Sequence, residues 1–109
     1  MAKTAEYWQK GETIDYRNMT DEKIAANTVV SIGSRIGIAG TEINPGELGT
    51  LHMVGVFIIP KKAGVALNAG DEVTFTEADG IDKAVDAAVG YAIEAADTAA
   101  ATVKVKLLG

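Results

Sequence analysis

The segment Leu48-Gly49-Thr50-Leu51-His52-Met53-Val54-Gly55-Val56-Phe57-Ile58-Ile59-Pro60 constrains this chain more than any other. It reads as one long extended run stopped by a proline, which has no N–H to give to a ladder. Successive side chains of a strand point to opposite faces. Leu51, Met53, Gly55, Phe57 and Ile59 therefore share one face, and Thr50, His52, Val54, Val56 and Ile58 share the other. The second half is apolar on both faces, so it needs cover from its own core and from something else. Gly55, inside the run, marks a bulge or a bend of the kind that turns barrel corners.

The rest of the chain carries the same extended character. Thr102 to Leu107 alternates apolar and polar residues as a final strand. Thr13–Asn18, Thr28–Ile32 and Arg35–Ala39 read as strands, the last two joined as a hairpin through Gly33-Ser34. Asn44-Pro45-Gly46 is a strong turn, and Glu72–Thr76 alternates cleanly before the turn at Ala78-Asp79-Gly80. Ile81 to Val85 is placed to pair back onto it. Val65-Ala66-Leu67 is expected as a single helical turn. Met19 to Asn27 is a loop, or a short turn capped by Thr20 without the reciprocal capping box.

Residues 82–101 are open between two periods. Val85, Val89 and Ile93 follow helical spacing in an Ala-rich stretch, but Gly90 interrupts it, and Val89, Tyr91, Ile93 and Ala95 share a strand face. We assign a strand over about residues 88–95. The total is about eight short strands with turn signals between them, so the expected fold is all-β, a small barrel or sandwich. No internal repeat is convincing.

A chain of 109 residues fits one domain, read here as residues 12–109 preceded by an N-terminal arm, residues 1–11. The arm holds Tyr7 and Trp8 without a periodic apolar context. Trp8 either tucks back onto its own core or lies on a neighbouring subunit, where aromatic residues bury much area at low entropic cost. Much of the apolar content is alanine, so the core is modest, and help from oligomerisation or a partner surface is expected.

Charge and motif exclude several classes of function. The net charge is −5 and the basic residues are scattered, which argues against a nucleic-acid partner held through phosphates. There is no cysteine, hence no disulfide and no thiolate metal site. Met1-Ala2-Lys3-Thr4 has no apolar signal-peptide core, and no run approaches the ~20 apolar residues of a membrane helix. No membrane contact is expected, and a cytoplasm-like compartment, or an assembly built there, is. His52 is the single histidine and no nucleophile elbow surrounds Ser31 or Ser34. Glu77, Asp79 and Asp82 lack the oxygen-ligand spacing of a calcium loop, and the glycines match no phosphate-binding motif. No catalytic residue, no cofactor and no metal are assigned.

The ordered set of segments resembles the capsid-cement, or head decoration, proteins of tailed bacteriophages. It comprises Gly11-Glu12-Thr13-Ile14-Asp15-Tyr16, then Val30-x-Ile32-Gly33 with Gly37-Ile38-Ala39. Gly46 to Leu51 leading to Val54-Gly55-Val56-Phe57-x-Ile59-Pro60-Lys61 is its most specific part. Ala69-Gly70-Asp71-x-Val73, Val89-Gly90-Tyr91-Ala92-x-Glu94-Ala95-Ala96 and Val103 to Leu107 follow in order.

The resemblance implies a β-rich homotrimer on the outside of the virion head, clamping adjacent major capsid subunits after the shell expands. Under it, Tyr7 and Trp8 contact capsid or a neighbouring protomer. Val54, Val56, Phe57, Ile58 and Ile59 divide between core and subunit interface, although all five also suit a plain core. Two other classes compete with it: a non-catalytic ligand- or peptide-binding β module, and a small hydrolase with a carboxylate pair.

Overall fold

The computed structural model describes residues 2–109, which form nine strands and, among these residues, no helix. The first antiparallel sheet contains β1 (Thr13–Arg17), β2 (Val29–Ile32), β3 (Arg35–Ala39) and β4 (Leu48–His52), in the order β1-β4-β3-β2. The second contains β5 (Val56–Pro60), β6 (Glu72–Thr76), β7 (Gly80–Lys83), β8 (Gly90–Ala92) and β9 (Thr102–Leu107), in the order β5-β9-β8-β6-β7. The molecule is a plate of 47 × 41 × 20 Å. Its thickness is that of two sheets packed about 10 Å apart with their side chains.

The long run expected as one strand is two strands in different sheets. Residues 48–52 pair with β1 and β3, and residues 56–60 pair with β9. The chain crosses between them at Gly55, whose φ of +124° is open to glycine and strained for any L side chain. On one side of the crossing the Met53 amide donates to Glu12 O at 2.9 Å; on the other, Gly55 O accepts from the Leu107 amide at 3.0 Å. Three residues thus hand the backbone from one ladder to the other, and the expected bend becomes the crossover of a sandwich.

The fold is all-β and the sandwich describes it; the barrel does not. Each sheet keeps its own outer strands. The second sheet curls until the end of β5 meets β7, where the Lys62 amide donates to Ile81 O at 2.9 Å and Lys61 bridges Ile81 in parallel. One bridge is not a ladder, and the sheet stays open. The helical turn expected at residues 65–67 is also absent: Leu67 instead exchanges backbone hydrogen bonds with Ala96 at 2.8 and 2.9 Å. Within residues 82–101 the strand is real but shorter than assigned, residues 90–92.

β3 lies between two cores. Ile36 and Ile38 face the second sheet and pack with Ile59, Val73, Ile81, Val103, Val105 and Leu107. Ala39 faces the other way, joining Val30, Ile43, Leu51 and Met53 under the loops that carry Ile24 and Ile43. Each fully buried aliphatic side chain contributes about 1.5–3 kcal/mol, so the first cluster is the larger source of stability.

The two sheets follow one plan, a duplication that the sequence conceals. In the first, β1 and β3 flank β4, β2 lies outside β3, and an Ile24–Ile43 bridge ties the connecting loops. In the second, β5 and β8 flank β9, β6 lies outside β8, and a Leu67–Ala96 bridge does the same. The loop hydrogen bonds correspond. Asn27 N to Ala39 O matches Gly70 N to Ala92 O, and Asn18 N to Glu47 O matches Lys61 N to Ala101 O. Asn27, the one described non-glycine residue with positive φ (71°), stands where Gly70 stands in the second half (91°). Gly37-Ile38-Ala39 and Gly90-Tyr91-Ala92 are the clearest residue trace of the duplication. β7 is the addition to the second half.

The equivalent positions Asn18 and Lys61 are the only polar residues buried among those described. Asn18 Nδ2 donates to Glu22 O at 2.8 Å and Ile43 O at 2.9 Å, while its Oδ1 accepts from the Thr20 amide and hydroxyl at 3.0 and 2.6 Å. Lys61 Nζ donates to Lys62 O and Val65 O. Each side chain ties down the loop that follows the first strand of its own sheet, replacing backbone pairing the loop cannot make for itself.

Candidate interaction surface

β5 is the outer strand of the second sheet, paired only with β9. Its inward residues are Phe57, half-buried against the main core, and Ile59, fully buried. Its outward residues have no cover in the protomer: Val56 is 50% exposed and Ile58 66%. Val54, in the crossover, is 43% exposed. Continuing the β5–β9 register past Val56–Lys106 sets Leu108, 47% exposed, beside Val54. Val54, Val56, Ile58 and Leu108 thus form one apolar stripe along a free strand edge. Soluble proteins usually blunt such edges with charge, proline or a bulge, and residues 54–59 carry no charge.

The lysines across from this stripe lean away from it. Lys104, opposite Ile58, is paired with Glu94 at 3.2 Å. Lys106, opposite Val56, has its ammonium 5.8 Å from the centre of the Tyr91 ring. Both partners lie on the β8 side, so the cations are drawn inward along the sheet and the apolar edge stays bare.

The structure brings Val54, Val56 and Ile58 together and separates Phe57 from them, because strand alternation turns Phe57 inward, where its ring lies 6.5 Å from that of His52. Leu108 was missed from the sequence, although it breaks the alternation of Val103, Val105 and Leu107 and carries an apolar side chain where a polar one is due. Tyr7 and Trp8 lie on an arm without strand structure. They are 83% and 85% exposed, so Trp8 does not tuck onto its own core. Residues 2–11 are all exposed, and Met1, also assigned to the arm, lies outside the described residues. The arm is rooted at Glu12, whose carbonyl holds the Met53 amide, so it leaves the molecule one residue from the start of the stripe.

Three residues weighed for chemistry have structural settings. Asp79 and Asp82 flank Lys62 at 4.0 and 3.7 Å, partly exposed contacts worth about 0–1 kcal/mol each. Among the described residues no group of three His, Cys, Asp or Glu is placed to hold a metal ion. His52 is exposed on β4, opposite Thr13 and Ile38.

Comparison with known proteins agrees with the resemblance read from the segments Gly11–Leu107. Residues 8–107 match a family described as phage cement protein. Among solved structures the chain is similar to the N base of the head fiber gp8.5 of bacteriophage phi29. The two are 16% identical, with a TM-score of 0.46 over 87% of this chain and 93% of that one. No curated protein matches. The family match takes in Trp8 of the arm, both sheets, the crossover at Gly55 and the whole of β9, and the chain belongs to the phage cement proteins, structural proteins of the phage head.

Proposed function

We propose that this protein binds the outer surface of the expanded phage head as a homotrimer and strengthens the joints between major capsid subunits, without catalysing a reaction. The observation that carries the reading is the bare apolar stripe of Val54, Val56, Ile58 and Leu108 along a free strand edge. Such a surface is costly in water and gains by being covered. Attachment to the expanded shell alone stabilises that state by linkage, and a shell carries many copies, so modest interfaces sum to a large effect. Neither nucleic acid nor membrane enters this role, and the acidic balance of the chain is suited to steering it toward a basic patch on the shell.

Purified protein added to expanded empty heads should bind saturably, and should not bind heads before expansion. Absence of saturable binding to expanded heads would overturn the reading. Ile58→Asp places a charge in the centre of the stripe. Since Ile58 is mostly exposed in the protomer, thermal stability should stay within about 0.5 kcal/mol of the parent. Head affinity should fall at least about tenfold, the cost of burying an unpaired charge in an apolar contact.

Residues 1–11 are read as an arm separate from the domain of residues 12–109. Its removal should leave a folded domain that binds heads more weakly. A truncated chain that melts or aggregates would make the arm part of the fold.

A further inference from the structure

Resting on the reading of the chain as a multi-copy head protein, we propose that the N-terminal arm of one copy lies in a cleft beside β2 of a second copy, with Tyr7 and Trp8 inserted. The cleft has a volume of about 620 Å³ and separates the free edge of β2 from the β6–β7 turn. Its apolar lining includes Ile24, Val29, Val30 and Phe75. β2 is an outer strand, paired only with β3, so alternate residues turn unpaired N–H and C=O groups outward.

The arm has the complementary chemistry. It is unpaired along residues 2–11, and its one described side-chain hydrogen bond is from Gln9 Nε2 to Thr13 O at 3.4 Å. An unpaired segment and an unpaired strand edge each supply half of a ladder, the arrangement by which a peptide adds to a sheet. Its two aromatic rings suit an apolar cleft, each with roughly 150–250 Å² to bury.

Charge distinguishes the edge of β2 from that of β5. The arm carries Lys3 and Lys10 against the single acid Glu6, and Glu77 and Asp79 line the cleft, both exposed. The β5 stripe itself is uncharged, with Lys104 and Lys106 drawn toward β8, so it offers a cationic arm no counter-charge. In the protomer the arm lies outside this cleft: residues 2–11 are all exposed and none of them lines it. The cleft is thus open to the arm of a neighbouring copy, the occupant assigned to it.

The chain lacks cysteine, so engineered thiols report without background. Full-length Gln9→Cys protein is mixed with full-length Ala78→Cys protein, free and bound to expanded heads, and oxidised. A disulfide joining the two different variants is expected, because Ala78 lines the cleft. The parallel mixture of Gln9→Cys with Ile58→Cys should give none.

Trp8 is the single tryptophan, and its fluorescence reports on the arm alone. Its quenching by acrylamide should fall several-fold as copies associate, and Glu77→Lys should reverse that protection. Cross-linking to Ile58→Cys in place of Ala78→Cys, or a Trp8 equally quenched in every state including on heads, overturns the proposal. Saturable head binding without the Gln9–Ala78 disulfide refutes the arm exchange alone. The disulfide without head binding refutes the head reading alone.

Discussion

Replacing Gly80 with alanine should destabilise the protein by about 2–5 kcal/mol, among the largest effects of any single methyl group in this fold. Two costs add. Gly80 has a φ of +80°, where an L side chain is strained by roughly 1–2 kcal/mol. A Cβ there would also sit 2.4 Å from the Pro60 carbonyl oxygen and 3.0 Å from its carbon. These are backbone atoms of β5, and they cannot rotate aside. Relief requires parting β7 from β5 at the one place where the second sheet curls onto itself, and overpacking of this kind costs roughly 1–3 kcal/mol.

Gly64 separates the two costs. Its φ is +82° but nothing lies within 4 Å of its Cβ position, so Gly64→Ala should lose only the conformational part, about 1–2 kcal/mol. At roughly 4–8 °C per kcal/mol for a domain near this size, the two variants should melt clearly apart. Equal melting temperatures would show that the contact with Pro60 is relieved without cost.

Asn18→Ala should cost about 2–4 kcal/mol, although the residue sits in a segment that reads as an undistinguished loop. The side chain is wholly buried and makes four hydrogen bonds. Its removal takes one of two donors from the Glu22 and Ile43 carbonyls, which keep the Thr20 hydroxyl and the Ile24 amide, and leaves the Thr20 amide without its partner; each such hydrogen bond is worth roughly 0.5–1.5 kcal/mol. Water entering the gap recovers part of this, which keeps the total below the sum. Asn18→Asp should not rescue stability at neutral pH, because a carboxylate offers no donor and faces two carbonyl oxygens. For comparison, the Lys23–Glu42 ion pair on the same loops spans 3.1 Å, but both side chains are 55% exposed. Breaking it should change stability by less than about 1 kcal/mol. Chemical denaturation of the three variants ranks them directly; an Asn18→Ala loss no larger than that of Lys23→Ala would show that the buried network is not what holds the loops.

The candidate surface was only partly legible in the sequence. Val54, Val56 and Ile58 stood out as apolar residues on a face that also carried His52 and Thr50, and a two-faced run needs two covers. What could not be read was which cover is missing. That depends on β5 being the outer strand of its sheet, a matter of partners 40 or more residues away in the chain, such as Lys104 and Lys106. Phe57 was grouped with Val54, Val56 and Ile58 through the family resemblance, and in the structure it packs against the core. The loops holding Asn18 and Lys61 gave no signal at all, because neither residue type advertises burial.

The sequence by itself determined the local geometry. Period-two alternation set the strands at residues 13–17, 72–76 and 102–107, and the glycine of Asp79-Gly80 set a turn needing positive φ, since both depend on residues close in the chain. Tertiary structure alone decided that the run around Gly55 serves two sheets, that Gly80 must also be bare because Pro60 passes against it, and that the two halves share one plan. Those features arise from pairing between distant segments. Backbone hydrogen bonds carry that pairing, and they are alike for almost any side chain.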